Sequence, residues 1–353
     1  MMHKRFFKYF LALTLFSSAA ALPAYAQTDV HILDVGQGLS VLIESQGQTM
    51  LYDGGDSSHS SYVVSYLKQQ GISSLDYVAA SHYDADHLNG VVGALHVFPA
   101  KTLWGPDYTA ESRVFHSFQE IAEKKGLKRI QPEVGSTYTL GDASIQVLAP
   151  SGSGYQDVNN YSIAIRIEDG DTSFLITGDA ENDSEQEMLA SGLTLDSDVL
   201  VLGHHGSSTS NSLEFVQAVS PEYAVVSCAE KNAHGHPHAE AMDTVKAVGA
   251  SLFRTDMQGN LVASTDGQTI TWNTEPCNDY TPGSSDRPQT PNSSAKISSR
   301  PYDGYTIIVN RKTGKYHAPG CRSVRDMKDY NKGYCSDAAY LDANGYQPCK
   351  ICH

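Results

Sequence analysis

Positive charge is scarce in this 353-residue chain: 25 Lys and Arg stand against 40 Asp and Glu, a formal net charge of −15. That balance excludes a protein that holds nucleic acid over a broad basic face. It leaves room for an enzyme acting on a polyanion, because bound cations can invert the field where a phosphate sits. Long apolar runs are missing too once the first residues are passed. No stretch after residue 26 approaches the ~20 apolar residues of a membrane-spanning helix. Cysteine is limited to six residues, four of which, Cys321, Cys335, Cys349 and Cys352, fall near the C-terminus. The length allows about two domains and a substantial core.

What is present begins with an export signal over residues 1–26. Met1-Met2-His3-Lys4-Arg5 is basic, Phe6 to Ala21 is apolar, and Ala24-Tyr25-Ala26 offers a small-x-small cleavage site. The alternative, a membrane anchor, is opposed by the short apolar core and by Pro23. The expectation is a secreted protein, extracellular or periplasmic, with no stable membrane association after cleavage. From residue 27 to 273 strand-like and helix-like segments alternate, beginning with strands at Val30–Val35, Leu39–Glu44 and Thr49–Asp53. Helices are expected at Ser60–Gln70, from near Asn89, and at Ser112–Lys125. Further strands are expected at Ser144–Ala149, Ser162–Ile167 and Ser173–Thr177. The strands are apolar on both faces, as in sheets sandwiched between helices, so the fold class is α/β and layered. Residues 274–300 have the Pro, Ser, Thr and Asn content of a linker, and 301–353 form a small separate module.

The densest chemistry lies in Ser81-His82-Tyr83-Asp84-Ala85-Asp86-His87, directly after the apolar run Leu75–Ala80. Two imidazoles and two carboxylates in one strand-end loop can converge on one or two divalent ions. Thr177-Gly178-Asp179 ends a strand with a carboxylate that could bridge two metals, although Gly-Asp is also an ordinary turn. Val201-Leu202-Gly203-His204-His205-Gly206-Ser207 ends another strand with paired histidines. His234-Gly235-His236-Pro237-His238 reads equally as a set of groups reaching a substrate phosphate or as a solvated loop.

These stretches, with Asp34-Val35-Gly36-Gln37-Gly38 and Leu51-Tyr52-Asp53-Gly54-Gly55, resemble in order and content the metallo-β-lactamase-fold hydrolases, and most nearly the hydrolase domain of the ComEC competence proteins. The resemblance spans about Asp29 to Trp272. It implies an αββα sandwich with the metal site at one edge between the sheets. It also implies that His82, Asp84, Asp86 and His87 form the first ligand group, that Asp179 bridges, and that the His204 stretch closes the site. Two departures stand out. Many members carry His where this chain has Asp84, which implies either a more weakly bound first metal or Mn²⁺ in place of Zn²⁺. The usual histidine before the bridging Asp is replaced by Asn159-Asn160-Tyr161-Ser162. ComEC's membrane channel segments have no counterpart here.

At the end of the chain, His317-x3-Cys321 and Cys349-x2-Cys352 have the ligand types and spacing of a closed structural zinc site. The module resembles the small metal-binding domain of Ada DNA-repair proteins. Disulfides are the alternative in an exported chain, with Cys228, Cys277 and Cys335 as further thiols. Arg311, Lys312, Lys315, Arg322, Arg325, Lys328, Lys332 and Lys350 make the module locally basic and suit it to holding DNA.

The expected function is secreted, metal-dependent hydrolysis of a phosphodiester in DNA. Metal-activated water attacks phosphorus, Asp86 or Asp179 orients or deprotonates it, and His205 or His236 donates a proton to the leaving oxygen. His82, Asp84, Asp86, His87, Asp179 and His204 hold one or two Zn or Mn ions, and the tail holds one structural Zn. Two alternatives stand beside this reading. One is a hydrolase of a small or cell-wall phosphoester, an ester or a lactam, since such a fold serves many chemistries. The other is a metal-bearing nucleic-acid-binding or adhesive protein without turnover.

Overall fold

The computed structural model describes residues 27–284 and most of 307–352. The expected export signal, 1–26, and the linker from 285 onward lie outside the described residues. Runs of β-branched and aliphatic residues set the architecture. Strands β1 (Thr28–Ile32), β2 (Val41–Ser45), β3 (Gln48–Tyr52), β4 (Leu75–Ala79), β5 (Ala100–Trp104) and β6 (Arg129–Ile130) belong to one sheet. A second sheet holds β7 (Thr137–Leu140), β8 (Ala143–Ala149), β9 (Ala164–Asp169), β10 (Thr172–Ile176), β11 (Val199–Val201), β12 (Tyr223–Val226) and β13 (Ser251–Arg254). The chain then returns to the first sheet with β14 (Leu261–Thr265) and β15 (Ile270–Trp272), giving the orders β15-β14-β1-β2-β3-β4-β5-β6 and β13-β12-β11-β10-β9-β8-β7.

Between the sheets lies a core that includes Val41, Tyr52, Trp104, Ile145, Ile165, Phe174, Ile176 and Phe253. Helices α1 (Ser60–Gln69), α2 (Ala85–Val97) and α3 (Arg113–Lys124) cover the first sheet through Val63, Leu67, Val91, Leu95, Phe115 and Phe118. Helices α4 (Asn182–Ala190), α5 (Leu213–Val219) and α6 (Ala239–Val248) cover the second through Met188, Phe215, Val216, Met242 and Val245. The layers are therefore α, β, β, α, as expected. The Tyr52 hydroxyl donates to the Ile163 carbonyl at 2.7 Å and ties the sheets together inside the core. Among the described residues no helix is long and apolar enough to cross a membrane.

Strands β3 to β6 run parallel to one another, and so do β10 to β13. Loops at the carboxyl ends of parallel strands are the usual place for a site in such sheets. Two expectations need correction. The helix expected near Asn89 starts at Ala85, so Asp86 and His87 stand in its first turn instead of a free loop. There the positive end of the helix favours the Asp86 carboxylate. The linker expected from residue 274 does not begin there either. Residues up to 284 lie on the domain: Arg254, only 2% exposed, donates to the carbonyls of Asp279 and Thr281, and Gly283 N–H donates to the Pro237 carbonyl at 2.8 Å. In the tail, β16 (Ile307–Asn310), β17 (Lys315–His317), β18 (Lys332–Cys335) and β19 (Gln347–Pro348) form a sheet in the order β18-β16-β17-β19.

The turn after β3 sits almost on the backbone of α2. Gly54 N–H donates to the His87 carbonyl at 2.7 Å, and a Cβ on Gly90 would lie 1.8 Å from the Gly54 oxygen. Ala in place of Gly inside a helix ordinarily stabilises by up to ~1 kcal/mol. Gly90→Ala should instead lose about 1–3 kcal/mol, because the clash is with backbone that cannot turn away. Thermal unfolding checks this, and a variant as stable as the parent would show that the contact is loose.

Candidate metal centre

The first anchor of the site is Asp53, which follows β3 in a left-handed conformation, φ 58°, with no exposed surface. Its carboxylate accepts from Ser81 N–H at 2.7 Å, from Ser81 Oγ at 2.7 Å and from His87 Nδ1 at 2.8 Å. It thus joins the end of β3, the end of β4 and the start of α2. Asp179 follows β10 through Gly178, where φ is 57° and a Cβ would fall 2.6 Å from the Cβ of Ser81. Only glycine allows the two loops to approach so closely. His204 and His205 follow β11, both in left-handed backbone with φ of 51° and 56°. Such strain, ~1–3 kcal/mol per residue, persists only where surroundings enforce it. Here the Asn211 side chain accepts from Gly203 N–H and donates to the Gly203 carbonyl, each at 2.9 Å.

Hydrogen bonds on the far side of three rings decide which nitrogen faces the site. Ser81 Oγ spends its proton on Asp53, so His82 Nδ1, 3.0 Å away, donates to that oxygen. His87 Nδ1 donates to Asp53, and His205 Nδ1 donates to the Ser227 carbonyl at 3.0 Å. All three rings consequently turn Nε2 inward. The sets His82, His87, Asp179 and Asp86, His87, His205 each bring three ligand atoms within 4.8 Å of one another. Asp179 Oδ2 lies 3.5 Å from His205 Nε2 and 4.0 Å from His82 Nε2, at the join of the sets. Buried His82 Nε2 has no hydrogen-bond partner, and Asp179 Oδ1 meets only the His87 ring, 3.2 Å away. Leaving such a group unpaired costs free energy that a divalent cation removes, so these residues fit the ions that the motif implies.

Charge supports the same conclusion. Burial would push the Asp179 carboxyl up, but His87 and His205 outweigh it and hold it well below the ordinary range. Burial opposes a proton on His87 and His205 as well. Even so, Asp179 and Asp53 raise the first well above its usual value, and Asp179 raises the second to about 9. His82, desolvated and beside His87, drops to about 4. The pocket without ions therefore uses protons where cations would serve.

The structure gathers His82, Asp86, His87, Asp179 and His205, and it redistributes the remaining expectations. His204, expected as a ligand, falls outside both sets, with Nε2 3.7 Å from Asp179 and Nδ1 3.3 Å from Glu181. His205, expected as a proton donor, stands in the second set. The left-handed backbone that swings the pair is not visible in the letters His-His. Asp84 is the N-cap residue of α2, with a side chain 54% exposed and 3.9 Å from His82, at the rim. His236 is buried against His204 and His205, with ring centroids 5.3 and 5.9 Å away. Its Nδ1 faces the Gln37 amide at 3.1 Å, so the ring accepts there and carries its proton on Nε2. Burial and the surrounding imidazoles hold its pKa far below the usual value, which makes it a neutral hydrogen-bond donor instead of an acid. Asn160 is not a ligand substitute; its amide oxygen accepts from Glu181 and Ser184 N–H, both at 3.1 Å, and caps α4.

The residues missed were Asp53 and Glu181. A carboxylate at the end of an apolar strand, Leu51-Tyr52-Asp53, was the available signal for the first. In the tail, pairing of Tyr316 with Pro348 brings His317, Cys321, Cys349 and Cys352 within 4.8 Å of one another. Both His317 nitrogens are buried without hydrogen-bond partners, and Cys321, Cys349 and Cys352 are not joined in disulfides. The Cys321 thiol is lowered to about 6, by His317 first and Cys352 second. This is a second candidate site, closed and four-coordinate.

Two outcomes follow for the main site. His205→Ala should lose bound metal while His204→Ala retains it, as measured by elemental analysis after dialysis; the reverse result would restore the original assignment. The proton on His205 stabilises the ion-free fold below the unfolded value of ~6.5, and that stabilisation is lost as pH rises through about 9; His87 is raised in the same direction. A cation displaces the same protons, so its affinity should rise across this window. Calorimetric titration near pH 7.5 in buffers of differing ionisation heat should show release of roughly one to two protons. Zero release would remove these histidines from the ligand set.

Comparison with known proteins places this geometry. Residues 33–230 match the model of the metallo-beta-lactamase superfamily. Competence protein ComA of Neisseria gonorrhoeae is 34% identical over 234 residues, 66% of this chain and 31% of that protein. ComE operon protein 3 of Bacillus subtilis is 27% identical over 67% of this chain and 33% of its own length. Recombination protein 2 of Haemophilus influenzae is 31% identical over 66% and 28%. The chain thus spans about a third of the length of these curated relatives. Among solved structures, the metallo-beta-lactamase fold protein YhfI from Bacillus subtilis aligns over 67% of this chain and 100% of its own, with 19% identity and a TM-score of 0.46. With the superfamily model covering more than half of its residues and the ligand motifs assembled at the edge of an αββα sandwich, the chain belongs to the metallo-beta-lactamase superfamily.

Proposed function

We propose that this metal-dependent hydrolase cleaves phosphodiesters in nucleic acid, DNA above all, outside the cytoplasm after removal of residues 1–26. The observation that carries the reading is the convergence of five donors, His82, Asp86, His87, Asp179 and His205, in two overlapping sets that share His87, with the Asp179 carboxylate 3.5 Å from His205. Divalent ions held by such a donor set would suit displacement at phosphorus. The relatives are named for competence and recombination, and DNA is the polymer that recombination acts on.

His82, Asp86, His87, Asp179 and His205 would hold the ions, whether Zn²⁺ or Mn²⁺. Ions bound there supply an activated water and withdraw charge from the phosphate. The chain's own residues do the rest. Asp86, whose carboxyl is kept ionised by His205 and His87 against the effect of burial, accepts from the attacking water and orients it. His236 offers a neutral N–H to the phosphate edge. His204, held by Glu181 and outside both sets, is the group placed to pass a proton to the leaving oxygen. The tail's His317, Cys321, Cys349 and Cys352 hold a structural zinc, and its Lys and Arg residues tether the strand.

Incubation of the protein with bis(p-nitrophenyl) phosphate and with DNA, with and without chelator, tests this directly. Asp86→Asn should lower turnover about 10²–10⁴-fold while the domain still melts cooperatively. Near-normal hydrolysis by that variant would sink the mechanism, and lactam or carboxylic ester cleavage without phosphodiester cleavage would favour the other hydrolase reading. Truncation after Ser284, which spares the segment clamped by Arg254, should keep small-substrate activity within about twofold. It should weaken action on long DNA at low salt, with the deficit shrinking as salt screens the lost contacts. A truncated protein equally active on long DNA would remove the tethering role.

A further inference from the structure

Next to the metal centre lies an open cleft of about 1020 Å³, bounded by the loop from Ser153 to Asp157, the start of α4 and the loop from Ser208 to Ser212. The two sites share a wall. Glu181 lines the cleft, and its carboxylate is also the partner of His204, 3.3 Å away. Small-molecule sites run from ~300 to 1,000 Å³, so a nucleotide-sized group has room here.

The lining selects what can enter. Asp157, Glu181, Asp183 and Glu187 line it, and among the described residues no Lys, Arg or His does. Each phosphate brought among those carboxylates would be repelled by about 1–4 kcal/mol per close pair. The occupant beside the scissile group is therefore not a further phosphate. Gln156, Asn182 and Gln186 contribute amides, and the part-buried Tyr155 contributes an aromatic ring. The Tyr155 hydroxyl is fixed by Glu187 and by Gly152 N–H, so the ring is held in place. Behind it the rings continue toward the His82 loop. Tyr155 meets Tyr161 edge-on at 4.8 Å, Tyr161 meets Tyr108 at 4.8 Å, and Tyr108 meets Tyr83 at 4.6 Å. A ring face beside amides and carboxylates that accept from exocyclic amines is the chemistry that recognises a nucleobase.

We propose that this cleft binds the nucleoside on one side of the scissile phosphodiester, with its base against Tyr155 and its amine toward the carboxylates. The inference rests on the phosphodiesterase reading and names what confers its specificity. Bases with an exocyclic amine bind in preference to thymine.

The test compares the Mn²⁺-loaded full chain on cytidine 5′-(p-nitrophenyl) phosphate and on bis(p-nitrophenyl) phosphate. The parent should favour the nucleoside substrate in kcat/KM. In Tyr155→Ala that preference should fall about 5- to 100-fold, chiefly through KM. Gln186→Ala, on the surface of α4, should lower the preference by a smaller factor with unfolding temperature unaltered. Retained preference in both variants overturns the proposal, as does an equal loss on both substrates. A second arm needs no turnover: cytidine added to the metal-free chain should perturb tyrosine ring resonances in the parent and not in Tyr155→Ala, and thymidine should act more weakly. A protein that binds cytidine here yet cleaves no phosphodiester would refute the phosphodiesterase reading alone. One that cleaves the bis-ester and ignores cytidine, or binds spermidine in its place, would refute the cleft assignment alone.

Discussion

The site hangs on one buried carboxylate. Asp53 is fully enclosed, and its three donors come from the backbone of Ser81, the hydroxyl of Ser81 and the ring of His87. A buried carboxylate is tolerable only when it is well hydrogen-bonded, and here each donor belongs to an element that carries a candidate ligand. The same bonds that make Asp53 tolerable therefore set the ring plane of His87 and, through Ser81, the tautomer of His82. Position and protonation are solved together, which is how outer partners commonly tune a ligand set.

How much of this the letters disclosed depended on whether the signal was local. Strand-end loops with His and Asp within six positions, His82 to His87, announce ligands because nothing in ordinary packing calls for that density. The apolar strands announce the layers for a similar reason: β10, Thr172–Ile176, is buried at every position and demands cover on both faces. Short or half-polar strands such as β5, Ala100–Trp104, gave no such warning, since their pairing comes from neighbours distant in sequence. The order of His204 and His205 was hidden for a different reason. Which of two adjacent side chains turns inward is decided by backbone angles, and those are imposed here by Asn211 from eight positions away.

Asp84 and the Asn159-Asn160 pair show a third case. Both looked like altered ligands when set against the family pattern. In the fold Asn160 caps α4, so that departure reflects structural employment of a polar side chain at a helix start, whereas Asp84 stands at the rim, 3.9 Å from His82, without a side-chain capping bond. Capping and ligation call on the same residue types, and only coordinates separate them.

His82, Asp86 and His87 come from the first sheet, whereas Asp179 and His205 come from the second. The ligand sets thus straddle the seam where the sandwich closes, beside the Tyr52 bond that crosses it. Any free energy released by an ion there is also free energy holding the two halves together. An ion held there would work as a clasp: a packing change deep between the sheets that opens the seam by a few tenths of an ångström would register first as weaker ion affinity, long before the fold itself gave way.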